Sequence, residues 1–318
     1  MHFLVTGGAG FIGSHLVDAL LARHDRVTVI DDLSTGRLDN LSAHQNNAAL
    51  SVKLANLAEY DSLTTVLKDC DQVIHLAAAV GVRHVIDHPL TSVTTDIDAT
   101  RRLLESCAQL QRPLLLASTS EVYGKNEDCP LKENANCLLG PSDRPRWGYA
   151  AGKLLTEHMV RAYATEQGLQ AIIARFFNVI GPRQTAAYGM VIPRFISQAR
   201  QAKALTVYGD GTQTRSFTWV EEAVEAMLRL IDTPAAYGEI VNIGGTEEIS
   251  IEALATRIIR LSGSRSATTL VPYQQAYDAA FEDMPRRRPD INKLQRLTAY
   301  RPGLPLDEML GRLLATTD

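Results

Sequence analysis

HFLVTGGAGFIG, spanning His2–Gly13, decides the fold: a short apolar run turns directly into Gly7-x-x-Gly10-x-x-Gly13. Phe3, Leu4 and Val5 predict a buried strand, and Phe11, Ile12, Leu16, Leu20 and Leu21 give the following segment one apolar helical face. Strand, glycine turn and helix start together make a seat for a dinucleotide pyrophosphate. The glycines permit a tight turn and close backbone approach, and the helix offers unpaired N–H groups and its positive dipole end to the phosphates. A second strand, Val27–Ile30, runs into Asp31 and Asp32, placing a carboxylate 18 residues after Gly13, where a ribose 2′-hydroxyl needs an acceptor. A carboxylate accepts from a free hydroxyl and repels a 2′-phosphate, so Asp31 favours NAD over NADP; Arg37 opposes this only if its loop folds back.

Composition narrows the class. The chain has 318 residues, enough for a large dinucleotide-binding domain and a smaller lobe. Its 45% hydrophobic and 21% charged residues are those of a globular protein. A net charge of −4 and the lack of a basic stripe argue against a nucleic-acid partner. Apolar stretches are broken well short of a membrane span, so no membrane association is expected, and the first strand begins too early for a signal peptide. Cys70, Cys107, Cys129 and Cys137 lack metal-site spacing; they are expected to be reduced thiols in a cytoplasmic protein, with no metal.

Strand patterns alternate with helical ones through the first two-thirds of the chain. Leu50–Leu54, Asp71–Leu76, Pro113–Ala117 and Gln170–Arg175 read as strands; segments near Tyr60–Leu67, Thr91–Gln109 and Tyr149–Glu166 read as helices. This predicts an α/β fold, a doubly wound parallel (Rossmann) sheet with a smaller C-terminal substrate-binding lobe. Residues 1–177 are expected to form the NAD-binding domain, with sheet contributions from about 215–242, and residues 178–318 mainly the second lobe. Short helices over Val191–Gln201, Val220–Ile231 and Ile251–Leu261 belong to the part after Asn178.

Catalytic residues emerge from a second constellation. Ser118-Thr-Ser-Glu-Val-Tyr-Gly124 leaves the fifth strand, and Tyr149-Ala-Ala-Gly-Lys153 opens a helix. Tyr149 and Lys153, four apart, share a helix face, so an ammonium beside the phenol is expected to lower its pKa toward neutrality. Loss of a hydride from an alcohol needs a base for the hydroxyl proton, and Tyr149 suits that task. Lys153 is also placed to hold the nicotinamide ribose.

At these residues the chain resembles the extended short-chain dehydrogenase/reductases that modify nucleotide-diphosphate sugars. The resemblance covers essentially the full length: GGAGFIG at 7–13, HLAA at 75–78, STSEVYG at 118–124, YAAGK at 149–153, FFNVIGPR at 176–183, VYGDGTQTRSFTWV at 207–220, NIGG at 242–245 and RRRPDI at 286–291. It implies cofactor contacts from Gly7, Gly10, Phe11, Ile12, Gly13, Asp31, Asp32, Asn56, Leu57, Leu76, Ala77, Ala78, Tyr149 and Lys153. It also implies substrate contacts from Asn178, Arg215 and Arg287, arginine being apt because its planar fork pairs with phosphate or carboxylate oxygens. Gly152 stands where many relatives carry Ser, Glu222 where an Asp is usual, and Asn56 where an Asp often lies near the adenine.

The resemblance further implies oxidation of a sugar hydroxyl to a 4-keto intermediate, and Thr119, Ser120 and Glu121 bear on the fate of that ketone. Ser120 occupies the Asp position of 4,6-dehydratases, which argues against dehydration, and simple 4-epimerases typically carry no acid at Glu121. Ser-Glu here, with Arg287 and the stretch Gly140–Trp147, looks most like the UDP-glucuronate decarboxylases, which give UDP-xylose or its 4-keto form. Thr119 or Ser120 then hydrogen-bonds the developing oxyanion, and Glu121, or a water it orients, returns a proton to carbon 5. The alternative is a UDP-sugar 4-epimerase acting on UDP-glucose, UDP-N-acetylglucosamine or UDP-glucuronate. An intact Ser/Thr–Tyr–Lys set argues against a silent NAD-binding regulator. The resemblance also implies a homodimer joined through the helices near 91–109 and 149–166. Among the remaining side chains, His75 is expected to be a packed hydrogen-bond partner, His84 and His88 to lie near the nicotinamide end, and Trp147 to line the sugar pocket or anchor its loop.

Overall fold

The computed structural model describes residues 1–78, 89–144, 146–185, 190–276 and 282–316. His84 and His88 lie outside the described residues. Seven parallel strands form the central sheet: β1 (His2–Thr6), β2 (Arg26–Asp31), β3 (Leu50–Leu54), β4 (Gln72–His75), β5 (Leu114–Thr119), β6 (Ala171–Phe176) and β11 (Ile240–Ile243). Their order across it is β11-β6-β5-β4-β1-β2-β3. The strand order reverses between β1 and β4, which opens a crevice at their carboxyl ends, the place where such sheets bind ligands.

Side chains alternate across the sheet, so each face has its own core. Phe3, Val5, Val29, Ile74 and Leu115 pack toward α1 (Phe11–Ala22) and the helix Val220–Ile231. Leu4, Ile30, Val73, Leu114 and Leu116 face the other way, toward α2 (Leu63–Lys68), α3 (Pro89–Leu110) and α4 (Arg146–Gln167). α2 starts at Leu63, three residues later than expected, and a 3₁₀ turn over Leu57–Glu59 capped by Asn56 precedes it.

The expected sheet material near 215–242 divides. Only Ile240–Ile243 joins the large sheet, beside β6. β7 (Val179–Ile180) pairs with β10 (Thr218–Trp219), β8 (Leu205–Tyr208) with β13 (Thr268–Val271), and β9 (Thr214–Ser216) lies between β12 (Glu248–Ser250) and β14 (Arg286–Arg287). The three- and two-residue strands are too short to extend the sheet. They turn the chain instead, bringing later segments over its carboxyl edge. A separate core of Ile192, Phe195, Leu205, Leu254, Ile258 and Leu310 holds the second lobe.

Candidate active site

The glycine turn has the shape that a dinucleotide needs. Gly7 sits at φ +72, where a Cβ would come within 2.8 Å of the Ala77 backbone nitrogen. A Cβ on Gly13 would stand 2.1 Å from the Gly7 carbonyl oxygen, so α1 packs against the turn only because that position is bare. Gly10 caps α1 without a side-chain hydrogen bond, so no capping side chain occupies the N–H groups of the first turn, which includes Phe11 and Ile12. Asp31 is buried at the end of β2, and its carboxylate accepts from Ala9 N at 2.9 Å and Leu33 N at 2.8 Å. Burial pushes its carboxyl above the usual range against the pull of those two N–H groups. Asp32 is exposed and accepts from Ser34 N, while Arg37 pairs with Asp39 at 2.8 Å on the surface and so does not oppose Asp31. Leu57 is buried, and Leu76, Ala77 and Ala78 continue from β4 alongside β1, with Leu76 N donating to Thr6 O. These residues fit a dinucleotide with a free 2′-hydroxyl.

Across the crevice, β5 and α4 bring Thr119, Ser120, Glu121, Tyr149 and Lys153 together. Thr119 caps the 3₁₀ turn Ser120–Tyr123 by accepting from Glu121 N at 3.2 Å, and its hydroxyl also shares a hydrogen bond with Tyr149. Ser120 is buried beneath. Glu121 is clamped between two guanidinium groups, Arg146 at 3.1 Å and Arg287 in direct hydrogen-bond contact. Burial alone would raise its carboxyl, but Arg146 and Arg287 outweigh it and hold the group down at about 2. Glu121 is therefore an ionised carboxylate at neutral pH, which, of the two expected proton sources, favours a water oriented by Glu121 over Glu121 itself.

A correction concerns Tyr149. Its phenol is held well above the ordinary value, first by burial and then by the carboxylates of Asp96 and Glu121. Lys153 does share its helix face, but the ammonium points to Asp96 on α3, 3.7 Å away, so its charge is already matched. A positive charge added at the nicotinamide position would act in the lowering direction.

The residues expected on the substrate side come from the part of the chain after Phe177. β9 and β14 run parallel with Arg215 beside Arg287 and Thr214 beside Arg286. Alternation along β14 sends Arg286 outward to Glu248, at 2.8 Å, and turns Arg287 inward to Glu121 and Asn178. Arg215 is buried and bonded to Asp283 at 2.8 Å and to Met284 O. Asn178 ties the same corner to Ser216 O at 2.8 Å. Trp147, in the first turn of α4 rather than in a loop, donates its indole N–H to Glu282 at 2.9 Å. His75 is a buried hydrogen-bond partner between the hydroxyls of Thr6 and Thr100. Burial and then Lys153 lower its pKa to about 3, so it is uncharged at neutral pH.

Sequence reading missed three contributors. Arg146 lies within the Gly140–Trp147 stretch, yet nothing in its spacing marks it as a partner of Glu121. Asp96 carries no motif. The bidentate pair of Glu157 and Arg175, at 2.6 and 2.9 Å, lies under the site, with Ser118 donating to the same carboxylate. Among the described residues no cluster of three or more His, Cys, Asp or Glu could hold a metal, and no helix is long and apolar enough to cross a membrane.

A dinucleotide crevice on a Rossmann-like sheet thus faces Thr119, Tyr149 and Lys153. Comparison with known proteins sharpens this: the NAD dependent epimerase/dehydratase family matches residues 3–244, and the chain belongs to it. NAD is its cofactor. A UDP-N-acetyl-alpha-D-glucosaminuronate decarboxylase of Bacillus cytotoxicus is 38% identical over 308 residues, covering 96% of this chain and 94% of that one. UDP-glucuronic acid decarboxylase 1 of Danio rerio is 36% identical over 314 residues, 98% of this chain and 71% of that one. Among solved structures, a UDP-glucuronic acid 4-epimerase from Bacillus cereus, in complex with UDP-glucuronic acid and NAD, superposes with a TM-score of 0.89 at 30% identity over 99% of this chain and 98% of that one.

Proposed function

We propose that the protein decarboxylates a UDP-linked uronic acid, UDP-glucuronate in the first instance, through a 4-keto intermediate. The observation that carries this reading is the Arg146–Glu121–Arg287 cluster beside Tyr149: two cations gathered where a uronate carboxylate would have to be oriented. The decarboxylases among the relatives support it.

In this reading Tyr149 takes the proton from the sugar 4-hydroxyl while Thr119 hydrogen-bonds its phenol. NAD, when bound, supplies the two-electron acceptor and afterwards the donor. Lys153 holds positive charge next to the base. The resulting ketone is β to the carboxylate, so the carbon 5–carbon 6 bond breaks, carbon dioxide leaves, and its electron pair spreads as an enolate. Ser120 and Thr119 hydrogen-bond that oxyanion. Because Glu121 is ionised, the proton for carbon 5 comes from a water its carboxylate orients. Arg287 and Arg146 release Glu121 in part to hold the substrate carboxylate, and Arg215 and Asn178 take the diphosphate side.

The reading includes a homodimer through α3 and α4, supported by exposed Leu90 and Leu155 on these two helices, which pack together. It also includes a reducing, cytoplasmic setting, supported by the four free thiols. The test is incubation of the protein and NAD with UDP-glucuronate, with UDP-N-acetylglucosaminuronate in parallel, followed by mass spectrometry. Loss of carbon dioxide is expected. An unchanged mass with a new stereoisomer would refute decarboxylation and establish the 4-epimerase alternative, which the Bacillus cereus neighbour favours.

A further inference from the structure

One buried carboxylate at the site has no part in that mechanism. Asp96 lies on α3 with its Oδ2 3.7 Å from the Lys153 ammonium, the two side chains only 8% and 4% exposed. A buried ion pair is weak evidence for stability, since desolvation offsets most of the attraction. A pair of this kind at a lysine beside a catalytic base points to a role in the chemistry instead.

The titratable and charged groups around Tyr149 among the described residues come from five elements. Lys153 lies one turn along α4 from Tyr149, and Asp96 reaches in from α3. Glu121, from the turn after β5, is matched by Arg146 and by Arg287 of β14. His75, from β4, is neutral and spent on Thr6 and Thr100, the latter one helical turn beyond Asp96. Glu121 is thus compensated twice over, and among the described residues the carboxylate paired with Lys153 is that of Asp96. After burial, Asp96 is the largest influence raising the Tyr149 phenol.

We propose that Asp96 is a positioning residue for the oxidation step: it holds the Lys153 ammonium toward α3 and so sets the pH at which Tyr149 begins to take the substrate proton. The proposal rests on Tyr149 being the base and is indifferent to whether decarboxylation or epimerisation comes next. Removing the carboxylate leaves Lys153 unopposed beside the phenol, and the base becomes competent at lower pH.

The experiment compares wild type, Asp96→Asn, Asp96→Glu and Tyr149→Phe as NAD-loaded enzymes, following oxidation of UDP-glucuronate from pH 5.5 to 9.5, with the NAD Kd measured at each pH. Asp96→Asn is expected to move the acid limb of kcat down by about one pH unit, so that on that limb the rate rises about tenfold, with NAD affinity unchanged. Asp96→Glu is expected to return the limb toward wild type. An equal loss of kcat at every pH with the limb unmoved would show a merely structural residue and overturn the proposal; a limb displaced upward would overturn its sign. Oxidation surviving in Tyr149→Phe with the same limb would instead refute the assignment of the base, on which the proposal stands.

Discussion

Glu121→Gln tests the electrostatics of the site most directly, because glutamine stands in for the protonated acid at nearly constant shape. Glu121 is only 13% exposed and faces Arg146 and Arg287. Burial works against its charge, yet the two arginines bring the carboxyl from 4.5 down to about 2. At about 1.36 kcal/mol per pKa unit, this displacement corresponds to about 3 kcal/mol of folding stability at neutral pH. A depressed carboxyl stabilises above its unfolded pKa and loses that contribution as pH falls through the folded one. The deficit of the variant should therefore be constant from pH 8 to 5.5, shrink below pH 4.5, and fall to less than about half near pH 3. Urea unfolding of both proteins across this range reads it. A variant as stable as wild type at pH 7, or a deficit that does not change with pH, would refute the picture of an ionised carboxylate clamped by two cations. The same variant should lose at least about a hundredfold in carbon dioxide release while still binding NAD.

Three further outcomes rest on particular contacts. His75 is lowered to about 3 by burial, so between pH 6.5 and 3 the unfolded chain binds a proton that the folded one refuses, and stability falls as pH drops. His75→Gln should be less stable at pH 7 but should remove about 2 kcal/mol of the loss seen between pH 7 and 5, read from urea midpoints; an unchanged slope would mean the ring is charged in the folded protein. Gly152 sits inside α4 with nothing within 4 Å of where a Cβ would lie, so Gly152→Ala should add about 0.5–1 kcal/mol of stability, raising the Tm by about 1 °C in a thermal melt. Gly13→Ala places a methyl against the Gly7 carbonyl oxygen, and calorimetry should find NAD binding weakened at least tenfold, about 1.4 kcal/mol.

Local chemistry along the chain was enough to place much of this protein. An apolar run before a glycine turn can hardly be anything but a buried strand meeting a helix, because only glycine allows the approach of Gly13 to the Gly7 carbonyl. Short continuous apolar runs and period-3.6 patterns likewise marked the parallel sheet and its covering helices, and the spacing of Tyr149 and Lys153 put both on one face of α4. What sequence could not show is how charges from distant segments meet. Arg146, Arg287 and Glu121 are separated by up to 166 positions, yet their approach holds Glu121 as a carboxylate and so bears on which of its two expected roles it takes. Asp96 and Lys153 meet only because α3 and α4 pack together, and burial with the carboxylates of Asp96 and Glu121 raises the Tyr149 phenol that the lysine was expected to lower. Which arginine of the 286–288 run turns inward was settled by the register of β14 against β9. Backbone conformation depends on near neighbours and is legible in order along the chain. A pKa depends on burial and on every charge within a few ångströms, and only the tertiary structure decides which charges those are.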